Sequence, residues 1–390
     1  MRIKAIFLLF LAVLPLSAAD KFVTLAEQGG AVSLKNATIS YDAAEPQAVR
    51  MAAASLMKDF QSVMGFTPVK SAKNATILIG TVGCNKQIDQ WVKSGKLPDL
   101  KGKREKFILT TIDGQVVIAG SDRRGAVYGI YELSRQMGVS PWYWWMDVPI
   151  EKHDYVGILP GTFTDGEPAV EFRGLFLNDE APCLTTWVKN TFGTNYGDHH
   201  FYAKVFELIL RLKGNMLWPA MWGWAFYADD PENSKTADEM GIIMGTSHHE
   251  PMARNHQEYA RKRGEWGPWN YQKNQEKLDQ FFREGIERMK GTEDMVTIGM
   301  RGDGDEAMSA EADTKLLQKI VEIQRKIIKQ VTKKPAEKTT QVWALYKEVL
   351  DYYDAGMRVP DDVIMLLCDD NWGNVRRVPN AQERKHKGGW

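Results

Sequence analysis

The sequence predicts an α/β protein in two parts: a small N-terminal α/β domain, followed by an incomplete (β/α)8 barrel of the TIM type. Three observations predict it. Helical and strand periodicities are mixed between about residues 20 and 165. A stretch at 157–168 holds three glycines and two prolines, which suits a domain boundary. Beyond it, short apolar strands alternate with amphipathic helices, the βαβα order of a parallel sheet or barrel. The chain is therefore read as a signal peptide (1–19), a small α/β domain (20–165) and a barrel (166–390) cut off after about its sixth strand.

The elements follow in chain order. Arg2 and Lys4 precede an apolar run to Leu16 and then Ser17-Ala18-Ala19, the three-part pattern of an export signal. Val49, Ala52, Ala53, Leu56, Phe60 and Val63 form a helical stripe. Residues 75–80 read as a buried strand, and Asp113-Gly114 between two apolar runs is a hairpin signal. Helical spacing returns at 125–137. In the second domain the expected strands are 171–177, 216–219, 241–245, 295–300, 340–345 and 363–368. The expected helices include 201–213, 275–289, 313–331 and 346–354.

Composition excludes several classes. Fifty basic residues balance fifty acidic ones, so no basic face for nucleic acid is expected. No later stretch is long and apolar enough to span a membrane. Cys84, Cys183 and Cys368 are odd in number and far apart, unlike a disulfide framework. An exported location, periplasmic or extracellular, follows from the leader.

Chemistry-bearing residues gather just after the expected strands. In order they are Asn178-Asp179-Glu180; Trp218 with Trp222-Gly223-Trp224; His248-His249-Glu250; Arg301 to Glu306; Tyr346-Lys347-Glu348; and Asp369-Asp370-Asn371-Trp372. In a barrel these ends converge on one mouth, where active sites lie. Several carboxylates among tryptophans suit carbohydrate cleavage, because aromatic faces pack on sugar rings and two carboxyls can act as acid and base. Asp303-Gly304-Asp305 also reads as a solvated turn or calcium-type loop, and Asp369-Asp370-Asn371 as a helix cap. The histidine tracts lack His-Glu-x-x-His spacing, so no metal site is expected.

Long segments resemble glycoside hydrolase family 115. They are FRGLFLNDE (172–180), LRLKGNMLWPAMW (210–222), MGTSHHEPM (244–252), TIGMRGDGDE (297–306), VWALYKEV (342–349) and CDDNWGN (368–374). The resemblance implies an exo-acting α-glucuronidase that removes glucuronic acid, or its 4-O-methyl form, from xylan side chains. It implies an α-1,2 linkage, inversion and no cofactor. On matching positions, Glu348 is the general acid and Asp305 the general base, or the reverse. Asp179, Asp369 and Asn371 hold sugar hydroxyls or orient water, Trp222 faces the sugar, and Arg301 and His249 recognise the uronate. Glucuronoxylan or its oligosaccharides are the expected partners, and a homodimer is expected of the full-length form. Family members continue past the point where this sequence ends, which implies a weakly active, incomplete chain. The competing readings are a non-catalytic glycan-binding protein or inactive remnant, and a metal-dependent hydrolase using the histidines.

Overall fold

The computed structural model describes residues 21–71, 74–97, 100–219, 222–308 and 313–390, and the expected leader lies outside them. The chain divides into two compact units: residues up to Glu45 with Ala53–Glu167, and Pro46–Ala52 with Pro168–Trp390.

The first unit contains β1 (Val23–Thr24), β2 (Val32–Ser33), β3 (Thr38–Ser40), β4 (Val69–Lys70), β5 (Ile77–Thr81), β6 (Phe107–Ile112), β7 (Gln115–Gly120), β8 (Gly157–Ile158) and β9 (Thr162–Phe163). Its larger sheet has the order β4-β3-β5-β7-β6-β9. The neighbours β3, β4, β5 and β7 run parallel. Every residue of β5 is buried, which is why it reads as an unbroken apolar run and not an alternation. β6 and β7 pair antiparallel through Ile112 opposite Gln115. The two residues between them, Asp113 and Gly114, have φ of 51° and 79°, the twisted turn that their side chains permit. Asn85 and Asp122 cap the helices Lys86–Ser94 and Arg123–Gln136 by accepting backbone N–H groups.

The second unit carries β10 (Gly174–Phe176), β11 (Met216–Trp218), β12 (Ile243–Met244), β13 (Val296–Thr297), β14 (Gln341–Leu345) and β15 (Ile364–Leu367). They form parallel sheets β10-β11-β12 and β13-β14-β15 in chain order. A bond from Met295 N–H to Met244 O (2.8 Å) links one sheet to the next. Each strand lies inside its expected range, with helices in the intervening segments.

The helices Tyr271–Arg288 and Thr314–Thr332 cover β13 to β15. On the second of these, Leu317, Ile320, Val321, Ile327, Ile328 and Val331 are buried at helical spacing. They pack with Phe281, Phe282 and Trp343 in one core, where each fully buried side chain of this size contributes about 1.5–3 kcal/mol. The helix expected over 346–354 begins only at Glu348, because Lys347 has φ 49° and ψ −127°, outside helical space.

One polar residue interrupts this apolar face. Gln324, fully buried, accepts from Gly299 N–H and donates to Gly299 O, both at 2.7 Å. Gly299 is two residues before Arg301, so Gln324 fixes the strand end that delivers the arginine. Gln324→Leu is expected to cost about 3 kcal/mol, since it strands a buried donor and acceptor together. A urea unfolding midpoint measures it, and an unchanged midpoint would contradict the assignment.

Candidate active site

The ends of β10 to β15 border an open cleft of about 720 Å³. Trp218 and Phe176 floor it in an edge-to-face pair with centroids 5.9 Å apart. Gly245 is required beneath them, since a Cβ there would fall inside the Trp218 indole. Trp222, His248, Asp305, Tyr346, Lys347 and Asp369 also line the cleft.

Arg301, at the end of β13, is the electrostatic centre. Its side chain is 2% exposed. Nε and Nη2 donate to the two oxygens of Glu348, each at 2.7 Å, and Nη1 donates to Asp305. One guanidinium thus holds both expected catalytic carboxylates in a fixed, fork-shaped geometry. Asp305 has φ 69°, a left-handed conformation rare for a residue with a side chain. Asp305 also meets His248 Nε2 at 2.7 Å and Lys347 Nζ at 3.6 Å.

The turn carrying Asp305 is held from its other side as well. Asp303 is bound by Arg263, with Nη2 at 2.7 Å, and by His256 Nε2 at 3.1 Å. The Arg263 guanidinium and hydrogen bond hold its carboxyl below the usual range. Both aspartates of the Asp303-Gly304-Asp305 turn are therefore occupied by cationic or imidazole partners.

The structure redistributes the expected binding residues. His249 was expected at the uronate, but its ring is buried, with Nδ1 3.8 Å from Asp305 and a neighbouring ring contact to His256. His248 occupies the cleft wall instead. Arg301, expected at the same carboxylate, is buried and gives three of its five N–H groups to Glu348 and Asp305. Asp179, expected to hold sugar hydroxyls, is 1% exposed and accepts from three successive backbone N–H groups: Trp222 (2.7 Å), Gly223 and Trp224 (2.5 Å). It anchors a loop whose Trp222 indole stands on the rim, half exposed, and donates to Glu180 at 3.2 Å.

Asp369 and Asn371 do line the cleft, and Asn371 Oδ1 accepts from the Tyr346 hydroxyl at 3.2 Å. Between them, Asp370 accepts from Trp372 N–H (3.0 Å) and Asn374 N–H (2.9 Å), so it closes a turn and caps no helix. These bonds, that to Asn374 first, draw its carboxyl down to about 2.

Burial, reinforced by Arg301 and Lys347, lowers the His248 imidazole to about 3. Burial and the neighbouring imidazoles lower His249 to about 2. A neutral His248 can donate to Asp305 only as its Nε2–H tautomer. Just behind, burial raises the Glu250 carboxyl to about 8, although His256 N–H donates to it at 2.9 Å. Burial likewise raises Asp294 to about 7.

These shifts oppose one another with pH. A buried acid with a raised value contributes stability below its unfolded value near 4.5, and loses it as pH climbs to about 8. A buried neutral histidine loses stability as pH falls below 6.5. Melting temperature is therefore expected to peak near pH 6. Glu250→Gln is expected to flatten the decline between about pH 6.5 and 8, and a melting curve as steep as wild type would refute this.

His248, His249 and Asp305 each bring a donor atom within 4.8 Å of the others, a spacing that could meet a cation. The Arg301 guanidinium and the Lys347 ammonium already face Asp305, and they would repel a metal ion there. The donor set fits the ion-pair network better than an ion.

Paired carboxylates at the ends of parallel strands, beside an aromatic-rimmed cleft, define a glycoside hydrolase type of site. The comparisons agree. Residues 165–390 match the family model "Glycosyl hydrolase family 115", and residues 23–133 match "Glycosyl hydrolase family 67 N-terminus". The chain belongs to glycoside hydrolase family 115.

Among solved structures, it is similar to a family 115 4-O-methyl-α-glucuronidase with specificity for decorated arabinogalactans. Identity is 37% and the TM-score 0.83, over 90% of this chain and 47% of that one. The chain thus spans about half the length of that relative. A family 20 β-N-acetylhexosaminidase from Streptomyces coelicolor A3(2) shares the fold at 12% identity and TM-score 0.55, over 92% of this chain and 70% of that one. A Flavobacterium johnsoniae chitobiase does so at 12% and 0.52, over 88% and 53%. A search of curated proteins gave no match.

Proposed function

We propose that the protein is an exo-acting α-glucuronidase, releasing glucuronic acid or 4-O-methylglucuronic acid from decorated plant polysaccharide. The observation that carries this reading is the Arg301 fork, which presents Glu348 and Asp305 together beside the cleft. Six strands in chain order, parallel within each sheet and each leading to part of the site, support a (β/α)8-type barrel as the scaffold. A guanidinium inserted between two carboxylates keeps them farther apart than direct contact would. That is the direction an inverting pair needs, since water must fit between base and sugar.

Glu348 acts as acid and Asp305 as base, or the reverse. Asp369 and Asn371 meet sugar hydroxyls, and Trp222 offers a face to the ring next to the bond cleaved. Glucuronoxylan with α-1,2-linked side chains is the first substrate proposed. The arabinogalactan specificity of the similar enzyme makes decorated arabinogalactan the second.

The test is incubation with both polymers, following released uronic acid and its anomeric configuration by NMR. Initial release of the β-anomer supports inversion, and release of the α-anomer overturns it. Binding without release would favour a glycan-binding protein. Export fits a polysaccharide substrate and is read from the mature N-terminus in the secreted fraction. A homodimer is read from sedimentation.

A further inference from the structure

Asp305 sits on a turn that has little packing of its own to hold it. The turn closes at its base, where Gly302 N–H donates to Glu306 O at 2.8 Å. A Cβ on Gly302 would strike Ala307 O, so the two arms approach as closely as glycine allows. Beyond that base the turn stands in the open. Gly304 and Glu306 are exposed, and a Cβ on Gly304 would meet nothing within 4 Å. Yet Asp305 keeps φ at 69°, a conformation that persists in a non-glycine residue only where the surroundings over-determine it.

Polar anchors supply that determination, one set on each side. Towards the cleft, Arg301 and His248 hold the Asp305 carboxylate. Away from it, the segment 256–269 grips the start of the turn. Trp269 Nε1 donates to Arg301 O at 2.9 Å, while Arg263 and His256 bind the Asp303 carboxylate. Gly304, between the two aspartates, offers no stiffness. Once the outer anchor is cut, the turn can relax and carry Asp305 off its left-handed angle.

Asp303 does not line the cleft, so its part in the reaction is indirect. Assuming the glucuronidase reading above, we propose that Asp303 is a positioning residue: clamped by Arg263 and His256, it fixes the turn so that the Asp305 carboxylate meets the reacting water or leaving oxygen in register.

The test cuts the clamp at its exposed end. The Arg263 and Asp303 side chains are 48% and 37% exposed, and so open a pair contributes little to stability. Arg263→Met is therefore expected to melt close to wild type. In the full chain it is expected to lower kcat for uronic-acid release about 10- to 100-fold, the scale of a small misplacement, with KM within about twofold. Asp303→Asn is expected to match it, and Arg263→Lys, which keeps a charge for Asp303, to recover part of the rate. A second readout needs no turnover. With isotopically labelled histidines, the His248 Nε2–H resonance, assigned by its loss in His248→Gln, reports the bond to Asp305. It is expected to shift or broaden in Arg263→Met and to return in Arg263→Lys.

A kcat for Arg263→Met within about twofold of wild type overturns the proposal, and so does an unmoved His248 resonance. A rate loss that comes with a lowered melting temperature and changes in the other histidine signals makes the pair merely structural and overturns it too. If wild type releases no uronic acid, the hydrolase reading fails, and the His248 resonance alone decides whether the clamp sets Asp305.

Discussion

Glu348→Gln and Asp305→Asn are each expected to lower kcat for uronic-acid release by about 10²- to 10⁴-fold, with the fold retained and a smaller loss of melting temperature than removal of Arg301 causes. Each amide keeps the size and one oxygen for Arg301, although Gln at 348 loses one of the two bonds of the fork, and neither can carry a proton to the leaving oxygen or take one from water. The pair is not additive: once one partner is gone, losing the other costs little more. Azide distinguishes the two. Azide needs no base to activate it: it can attack the anomeric carbon in place of water while the acid protonates the leaving oxygen, so a β-glycosyl azide is expected from the base variant and not from the acid variant. Near wild-type release from either single variant would remove that residue from the reaction.

Arg301→Met is expected to be the most destabilising single change at the site, by about 3–5 kcal/mol. The reason is less the lost attraction than what remains. Glu348 and Asp305 would lose the guanidinium they share in a largely buried setting, with side chains 21% and 11% exposed, and only Asp305 would keep a cation nearby, Lys347 at 3.6 Å. Arg301→Lys is expected to recover part of the stability but little activity, because one ammonium cannot reproduce a fork to two carboxylates. Equal stability of Arg301→Met and wild type in chemical unfolding would mean the triad is not held as described.

Much of the scaffold was legible in the sequence, for local reasons. The Asp113-Gly114 turn announced its hairpin because few residue pairs accept two positive φ angles. The strands of the second unit announced themselves as apolar runs ending in polar bursts, and those bursts do border one cleft.

The division of labour within each burst was not legible. His248 and His249 are neighbours with the same side chain, and only the path of the loop after β12 decides which one lines the cleft. Arg301 and Glu348 are 47 residues apart, so nothing local tells that the arginine bonds to enzyme carboxylates. Gln324 is one polar position on an otherwise apolar helix face, and its role depends on a glycine 25 residues away.

Asp179 holds the Trp222 loop entirely through main-chain N–H groups. Such an anchor is blind to the side chains it carries. The loop therefore works as an exchangeable fitting: residue 222 can be swapped for a smaller, larger or polar one without disturbing its mount or the acid–base pair. On the glucuronidase reading, preference for one polymer backbone over another can drift at this rim position while the chemistry of bond cleavage stays constant.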